Sequence, residues 1–233
     1  MHGRPVPSQC GLVTATTAVT RMSPVTFYAD SADREAVESL LADRIVTGVT
    51  TNPSILATSG VTPDEARALR DEWVSLGATT TFFQATGRSS DALVERGLYI
   101  RSWGSEVVVK VPATAIGFPA AARLVAKGVP VLLTAVYTTA QAVAASAVGA
   151  SYIAPYLGRL DDRGRDGLGD IAAMVQALRG TGTEALVASV RTPTAIAALA
   201  RRGVRHITAA PTVLRAALVS QDSELDAGVF EGA

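Results

Sequence analysis

From Val25 onward, short apolar runs alternate with longer stretches in which apolar residues recur at helical spacing. Short apolar runs bounded by turn residues are typical of buried strands, and a period of about 3.6 residues indicates an amphipathic helix. We predict strands at Val25–Ala29, Thr47–Thr50, Thr79–Gln84, Val107–Val111, Val131–Ala135, Ser151–Ala154, Ala185–Ser189 and His206–Ala209. We predict helices at Asp33–Ala42, Pro63–Leu76, Ser90–Ser102, Gly117–Lys127, Thr138–Val148, Gly167–Leu178, Pro193–Arg202 and Thr212–Ser220.

Strands and helices therefore alternate along the chain. Proline after Thr62 and after Thr192 marks two helix starts, and glycines such as Gly128 and Gly203 mark helix ends. Eight strand–helix pairs in about 200 residues predict an α/β fold, a single-domain (β/α)8 TIM barrel over residues 25–233. A doubly wound parallel sheet is the alternative.

Residues 1–24 differ from the rest, since proline, serine, threonine and glycine are mixed with Arg4 and Arg21 without a helix or strand period. We expect a disordered tail; the alternative is a mis-assigned start, with Met22 as the true first residue. The mildly apolar stretch 11–19 is too polar for a secretory core and too short to span a membrane. We therefore expect a cytoplasmic protein without a membrane partner.

Charge and composition narrow the class of partner. The formal net charge is zero and the pI is near 6.7, so nothing favours nucleic acid or an anionic membrane. Cys10, His2 and His206 are the only cysteine and histidines, too few for a disulfide framework, a Cys/His zinc site or a Ser-His relay. We expect small-molecule chemistry, with acid–base steps carried by carboxylates, tyrosine, lysine or water.

Lys110 lies inside the apolar run Val107–Pro112, in a chain whose only other lysine is Lys127. Burial lowers the pKa of a lysine because it disfavours the charged ammonium, and the resulting free amine can attack a carbonyl. Lys127 precedes a helix-ending glycine, where a cation complements the helix C-terminus and needs no other role. When Lys110 is considered alone, the alternative to a reactive amine is a structural lysine in an ion pair.

Polar residues, Lys110 among them, end or follow seven of the eight predicted strands, at the end where (β/α)8 barrels form their active sites. These residues are Asp30, Thr50, Asn52, Gln84, Lys110, Thr134, Tyr156, Arg159, Ser189 and Arg191. Their concentration at one mouth predicts a site there. Taken singly, several have structural alternatives: a helix cap for Asp30, turn residues for Thr50 and Asn52, a core amide for Gln84 and a rim aromatic for Tyr156.

Six segments together resemble the transaldolases and the closely similar fructose-6-phosphate aldolases. They are Phe27–Asp33 (FYADSAD), Gly48–Ser54 (GVTTNPS), Val107–Pro112 (VVVKVP), Thr134–Tyr137 (TAVY), Ala154–Tyr156 (APY) and Ala188–Pro193 (ASVRTP). The segments cover nearly all of the chain beyond the tail. The resemblance implies a (β/α)8 barrel that works through a lysine Schiff base, without a cofactor or a metal.

Matched position by position, the resemblance implies that Lys110 condenses with a ketose carbonyl and that Asp30 handles the proton of the C4 hydroxyl. The other implied roles are sugar binding by Thr50, Asn52 and Ser189, a proton-shuttling water held by Thr134, Gln84 and Tyr156, and phosphate binding by Arg159 and Arg191.

Three positions distinguish the branches of this family. Larger transaldolases have glutamate at Gln84, phenylalanine at Tyr156 and asparagine at Leu132, whereas the aldolases resemble this chain. The resemblance therefore implies an aldolase that breaks or forms the C3–C4 bond of a ketose phosphate such as fructose 6-phosphate. The alternatives are a transaldolase of the pentose phosphate pathway, which transfers a dihydroxyacetone unit between sugar phosphates, and a sugar-phosphate-binding barrel without catalysis.

The chain also departs from the family pattern. Val190 occupies a position where phenylalanine is usual, and Gly158 occupies one where the aldolases have asparagine. Relatives continue into a long final helix with an Asp-Trp pair, which packs on a neighbouring subunit in decamers, whereas this chain ends at Ala233. We expect a homo-oligomer, with a shortened C-terminus that argues against the decamer.

Overall fold

The computed structural model describes residues 24–231, and its sheet is a closed barrel of eight parallel strands in chain order. The strands are β1 Thr26–Asp30, β2 Gly48–Thr50, β3 Thr80–Gln84, β4 Val107–Pro112, β5 Val131–Val136, β6 Tyr152–Pro155, β7 Glu184–Val190 and β8 His206–Ala209. Each end lies within one residue of the prediction, and β8 pairs with β1. The predicted (β/α)8 barrel is confirmed, and pairing of the first and last strands excludes the doubly wound alternative.

Helices connect the strands on the outside of the barrel. They are α1 Arg34–Ala42, α2 Pro53–Thr58, α3 Ala66–Ser75, α4 Ser90–Arg101, α5 Gly117–Val125, α6 Thr139–Ala147, α7 Leu157–Asp161, α8 Gly167–Ala177, α9 Pro193–Arg201, α10 Pro211–Ala216 and α11 Gln221–Glu231. No helix within residues 24–231 has both the length and the apolar character needed to cross a bilayer. The expectations for the N-terminal tail concern residues that, except for Pro24, lie outside the described part.

Three of these helices are absent from the sequence prediction. α2 and α7 span six and five residues, too few for a helical period to be visible. α11 follows α10, whose end at Ala216 falls short of the predicted Ser220. The large apolar side chains of α11 are exposed, among them Leu225 and Phe230, so no buried stripe marks it as a helix.

Side-chain alternation along the strands divides the barrel wall into two faces. The outward face packs against the helices in the main core, which includes Ala29 and Val109. The inward face contributes a second cluster, which we call the interior layer: Tyr28, Phe82, Val108, Leu132, Ala154 and Leu186. Phe82 meets Tyr28 edge to face, with the ring centroids 5.3 Å apart. The barrel centre is therefore a packed core rather than a channel.

The same alternation positions polar residues above this layer. Because inward positions recur every second residue, the next inward side chain on a strand lies one step closer to its C-terminal end. Two residues beyond the interior layer lie Asp30, Gln84, Lys110, Thr134 and Tyr156. On five strands, therefore, one inward side chain belongs to the interior layer and the next inward side chain is polar.

Candidate active site

A cavity of about 700 Å³ opens at the C-terminal mouth of the barrel. Seven of the ten site residues predicted from the sequence line it: Asp30, Asn52, Gln84, Lys110, Tyr156, Arg159 and Ser189. Thr50, Thr134 and Arg191 are outside the lining.

Lys110 projects from β4 into the base of this cavity, with only 5% of its surface exposed. Its Nζ donates a hydrogen bond of 2.6 Å to the backbone carbonyl of Thr51. Burial lowers the pKa of Lys110 from its ordinary value, and the negative charge of Asp30 opposes part of that shift. The amine is held in place by a backbone group and is easier to deprotonate than a surface lysine.

Asp30 ends β1 and lines the cavity beside Lys110. Its Oδ1 accepts a hydrogen bond of 2.7 Å from the hydroxyl of Thr50, which is 1% exposed and lies behind the cavity wall. The helix-cap interpretation of Asp30 is wrong, because Asp33 caps α1 by accepting from the backbone N–H of Ala36. The carboxylate is therefore free to face the cavity.

Thr134 and Tyr156 form a pair on β5 and directly after β6. Their hydroxyl oxygens are 2.7 Å apart, and Thr134 is buried beneath Tyr156, which reaches the cavity. Burial raises the pKa of Tyr156, and the hydrogen bond from Thr134 partly offsets this increase. The phenol thus stays protonated at neutral pH and can donate a proton into the cavity. Gln84 adds an amide to the same wall.

Asn52 both caps a helix and lines the cavity. Its Oδ1 caps α2 by accepting from the backbone N–H of Ile55 at 3.0 Å, and the residue also lines the cavity. The oxygen therefore caps a helix, whereas the alternative considered from the sequence was a turn, and the side-chain amide N–H groups are a separate set of donors. Capping fixes the side chain at the rim.

Two residues at the mouth adopt a left-handed backbone although they are not glycine. Ala135 has φ 59° and Ser189 has φ 56°, and both lie where strand registers shift, in β5 and β7. Such irregularities turn side chains toward a site at a cost of about 1 kcal/mol or more for each residue. Both residues line the cavity.

The two arginines predicted to bind phosphate lie in different environments. Arg159 of α7 lines the cavity, with its guanidinium carbon 5.7 Å from the centre of the Tyr156 ring. Arg191 instead donates two hydrogen bonds, of 2.6 and 2.7 Å, to the carboxylate of Asp162. Gly158 permits this arrangement, because a Cβ there would lie 2.6 Å from Nε of Arg191.

Three groups at the site are not among the ten residues predicted from the sequence. The Thr51 carbonyl that holds Lys110 has no sequence signal, since every residue has a carbonyl. Tyr137 lines the cavity and directly follows β5, so the strand-end rule that found the others applies to it. Thr208 of β8 has its hydroxyl oxygen 2.6 Å from that of Thr50, and only inward parity along the strand could have identified it.

The overall fold is shared with enzymes of two other kinds. A 4-hydroxy-tetrahydrodipicolinate synthase from Methylacidiphilum fumariolicum SolV is 15% identical with a TM-score of 0.58, over 82% of this chain and 69% of that one. A mandelate oxidase structure is 19% identical with a TM-score of 0.56, over 85% of this chain and 68% of that one. At these identities the likeness shows the barrel fold alone.

Sequence comparison is more specific. The family model described as Transaldolase/Fructose-6-phosphate aldolase matches residues 27–229. Proteins named "Probable transaldolase" match from Anaeromyxobacter sp. (strain K), 36% identical over 76% of this chain and 81% of that protein, and from Nitrosopumilus maritimus (strain SCM1), 33% identical over 80% and 84%. The one from Cereibacter sphaeroides (strain ATCC 17025 / ATH 2.4.3) is 37% identical over 81% and 86%. The chain belongs to the transaldolase/fructose-6-phosphate aldolase family of enzymes.

Proposed function

We propose that the protein is a class I aldolase that breaks or forms the C3–C4 bond of a ketose phosphate such as fructose 6-phosphate, with Lys110 as the Schiff-base residue. One observation carries this proposal: a lysine that is 5% exposed and has a lowered pKa shares a cavity with a carboxylate. A buried amine of this kind is a nucleophile toward carbonyl carbon.

The first chemical stage forms the imine. The neutral amine of Lys110 attacks C2 of the ketose, and loss of water gives a protonated imine. The hydrogen bond to the Thr51 carbonyl orients the amine before the substrate binds. Pairing of Thr134 with Tyr156 supplies hydroxyl groups that order water for the proton transfers of this stage.

The second stage breaks the carbon–carbon bond. Asp30 accepts the proton of the C4 hydroxyl, the C4–O bond becomes a carbonyl, and the electron pair of the C3–C4 bond moves toward the imine nitrogen. An aldehyde leaves, and a three-carbon enamine remains on Lys110. Protonation of the enamine carbon, with the Tyr156 phenol as the proton donor, and hydrolysis by water then release dihydroxyacetone and the free amine.

Substrate binding follows from the rest of the cavity. Asn52 and Ser189 are proposed to contact sugar hydroxyls, and Thr50 acts indirectly by holding Asp30. Arg159 at the rim is proposed to bind the phosphate by charge-assisted hydrogen bonds. For Arg191 to join it, its guanidinium has to leave Asp162.

A transaldolase reaction is the second candidate, and the relatives named "Probable transaldolase" favour it. The chemistry is the same as far as the enamine. An aldolase protonates the enamine, whereas a transaldolase keeps it until an aldehyde acceptor arrives. Tyr156 bears on this choice because its phenol is an acid inside the cavity.

Reductive trapping tests the Schiff base. Borohydride is added to the protein with dihydroxyacetone or fructose 6-phosphate, and the adduct is located by peptide mass spectrometry. We expect the adduct on Lys110, and none in Lys110→Arg, which keeps the charge but removes the amine. An unmodified Lys110 in folded wild-type protein would refute the proposal.

A second assay separates the two reactions. Release of glyceraldehyde 3-phosphate from fructose 6-phosphate without an acceptor identifies an aldolase. Dependence of turnover on erythrose 4-phosphate identifies a transaldolase.

A further inference from the structure

Two hydroxyl groups, one on each of the strands that flank β1, form a chain of hydrogen bonds that ends at Asp30. β1 lies between β2 and β8 in the barrel wall, with Asp30 in register with Thr50 and Tyr28 in register with Thr208. Inside the barrel, the Thr208 hydroxyl oxygen lies 2.6 Å from that of Thr50, which in turn lies 2.7 Å from Oδ1 of Asp30. The contact passes over β1 and depends on closure of the barrel.

Both threonines are buried, each with 1% of its surface exposed. Water therefore does not compete for these hydroxyl groups, and each proton has to be assigned to a protein acceptor. Three acceptors are within reach of the two protons: Asp30, one hydroxyl oxygen of the pair, and the backbone carbonyl of Tyr28, which is 3.2 Å from the Thr208 hydroxyl.

The ionised carboxylate of Asp30 determines the direction in which the hydroxyl groups donate their hydrogen bonds. A charged acceptor forms the stronger hydrogen bond, so the Thr50 proton points to Asp30. Oγ1 of Thr50 is then an acceptor, and at 2.6 Å it takes the Thr208 proton in preference to the Tyr28 carbonyl at 3.2 Å. Thr208 thus donates to Thr50 and Thr50 to Asp30, and each bond polarises the next.

This arrangement determines which oxygen of Asp30 meets a substrate. Oδ1 is occupied by Thr50, and among the described residues no group donates to Oδ2. Asp30 lines the cavity, so Oδ2 is the oxygen available to a bound hydroxyl. Without the Thr208 hydroxyl, Oγ1 of Thr50 loses the donor that polarises its O–H group and holds it in place, so the hydrogen bond that fixes the rotation of the carboxylate becomes weaker.

We propose that Thr208 is a positioning residue for Asp30, acting through Thr50 to hold Oδ2 toward the C4 hydroxyl of the substrate. This inference rests on the proposed function, in which Asp30 accepts that proton during C3–C4 cleavage. Thr208 does not line the cavity, and its hydroxyl contacts Thr50 and the Tyr28 carbonyl rather than Lys110. Because removal of this hydroxyl leaves the charge of Asp30 in place beside Lys110, we expect its effect at the cleavage stage.

The test compares two variants of Thr208 with a matched control. Thr208→Val removes the hydroxyl and keeps the shape, whereas Thr208→Ser keeps the hydroxyl. Thr81→Val makes the same change in β3 at a buried hydroxyl that has no hydrogen-bond partner within the described residues. For each protein, kcat and KM are measured for the reaction that the wild type performs, and borohydride trapping of dihydroxyacetone on Lys110 is quantified.

We expect Thr208→Val to lower kcat by about tenfold, the effect of losing one hydrogen bond in a chain to a charged group, with KM within about twofold of the wild type. Trapping with dihydroxyacetone stays at the wild-type level because imine formation on a three-carbon ketone includes no C4 hydroxyl. Thr208→Ser recovers kcat to within about threefold, and Thr81→Val resembles the wild type.

Three results would overturn the inference: wild-type kcat in Thr208→Val, equal loss in the valine and serine variants, or loss of trapping along with kcat. Failure of the proposed function gives a different result, since the wild type itself would then form no adduct on Lys110.

Discussion

The two ends of the barrel interior use the same strands for opposite purposes. Toward the N-terminal end, the interior layer is apolar and aromatic, and Phe82 contacts the rings of both Tyr28 and Tyr152. Two residues further along five of the strands, at the C-terminal mouth, the inward side chains are polar, and four of them line a cavity. A single step of strand alternation separates the part that stabilises the barrel from the part that performs chemistry.

A small barrel can contain a site that costs stability because a stabilising layer lies directly beneath it. A buried amine and two left-handed non-glycine residues each reduce stability at the mouth. The layer directly below consists of side chains that gain free energy from burial and aromatic packing. Substitutions at the two ends should therefore have opposite effects. At the mouth they should reduce activity, and in the interior layer they should reduce stability.

Lys110→Met should have the largest effect on activity. Removal of the amine prevents imine formation, and we expect turnover to fall by about 10³-fold or more. Stability should rise by about 1 kcal/mol, because loss of the buried amine outweighs the lost bond to Thr51. Activity assays and urea unfolding measure the two effects, with exposed Lys127→Met as the control. A destabilised variant would show that Lys110 supports the fold.

Phe82→Ala should have the largest effect on stability. Phe82 is fully buried in the interior layer, and its truncation leaves a cavity between Tyr28 and Tyr152. We expect the free energy of unfolding to fall by about 3–5 kcal/mol. The fraction of the Phe82→Ala protein that is folded should still form the borohydride adduct on Lys110. A loss of adduct in folded protein would mean that the two ends do not act separately.

His206 gives the N-terminal end a pH dependence. Its Nδ1 lies 3.1 Å from the Tyr28 hydroxyl, and burial lowers its pKa, with Glu184 opposing and Arg205 adding to the shift. The unfolded chain takes up this proton near pH 6.5 and the folded protein only at lower pH. Stability from neutral His206 is thus present above pH 6.5 and lost as pH falls through the folded pKa.

We expect the free energy of unfolding to fall by about 1 kcal/mol per pH unit in this window. Denaturant titrations between pH 7 and pH 5 measure the slope, and His206→Gln should flatten it. An unchanged slope in that variant would assign the effect to other groups.

Ala135→Gly should have the smallest effect. Glycine adopts the left-handed backbone of this residue without strain but loses more entropy on folding, so the net gain in stability should be below about 1 kcal/mol. Ala185→Gly near the start of β7 lacks this strain and should reduce stability by about 1 kcal/mol. Thermal unfolding compares the two. Equal destabilisation would show that the mouth is not strained at Ala135.

Sequence patterns predicted the strands and most of the site because both depend on local periodicity. A strand of alternating residues and a polar residue at its end can be recognised without knowledge of the neighbouring strands, as for Lys110 and Thr134. Asn52-Pro53 contains a cap followed by proline at the first helical position, so the start of α2 was also detectable, although the structural alternative considered for Asn52 was a turn.

The remaining features depend on contacts between elements. Thr50 lies behind Asp30, and Arg191 pairs with Asp162, because of strand register and side-chain conformation. Gly104 follows α4 as a helix-ending glycine would, but its φ is not positive, and a Cβ there would collide with Arg70. No local pattern reports such distances. Sequence therefore identified the groups of the site more readily than their partners.

The hydrogen bond from Lys110 to the Thr51 carbonyl limits how this site can change over generations of mutation. The acceptor is a backbone carbonyl, which every residue has, so no particular side chain at residue 51 is needed to supply it. The reactivity of the amine can then vary only through its burial and through the carboxylate of Asp30. Sequences that diverge at the rim can acquire new substrates while the position of the nucleophile stays the same.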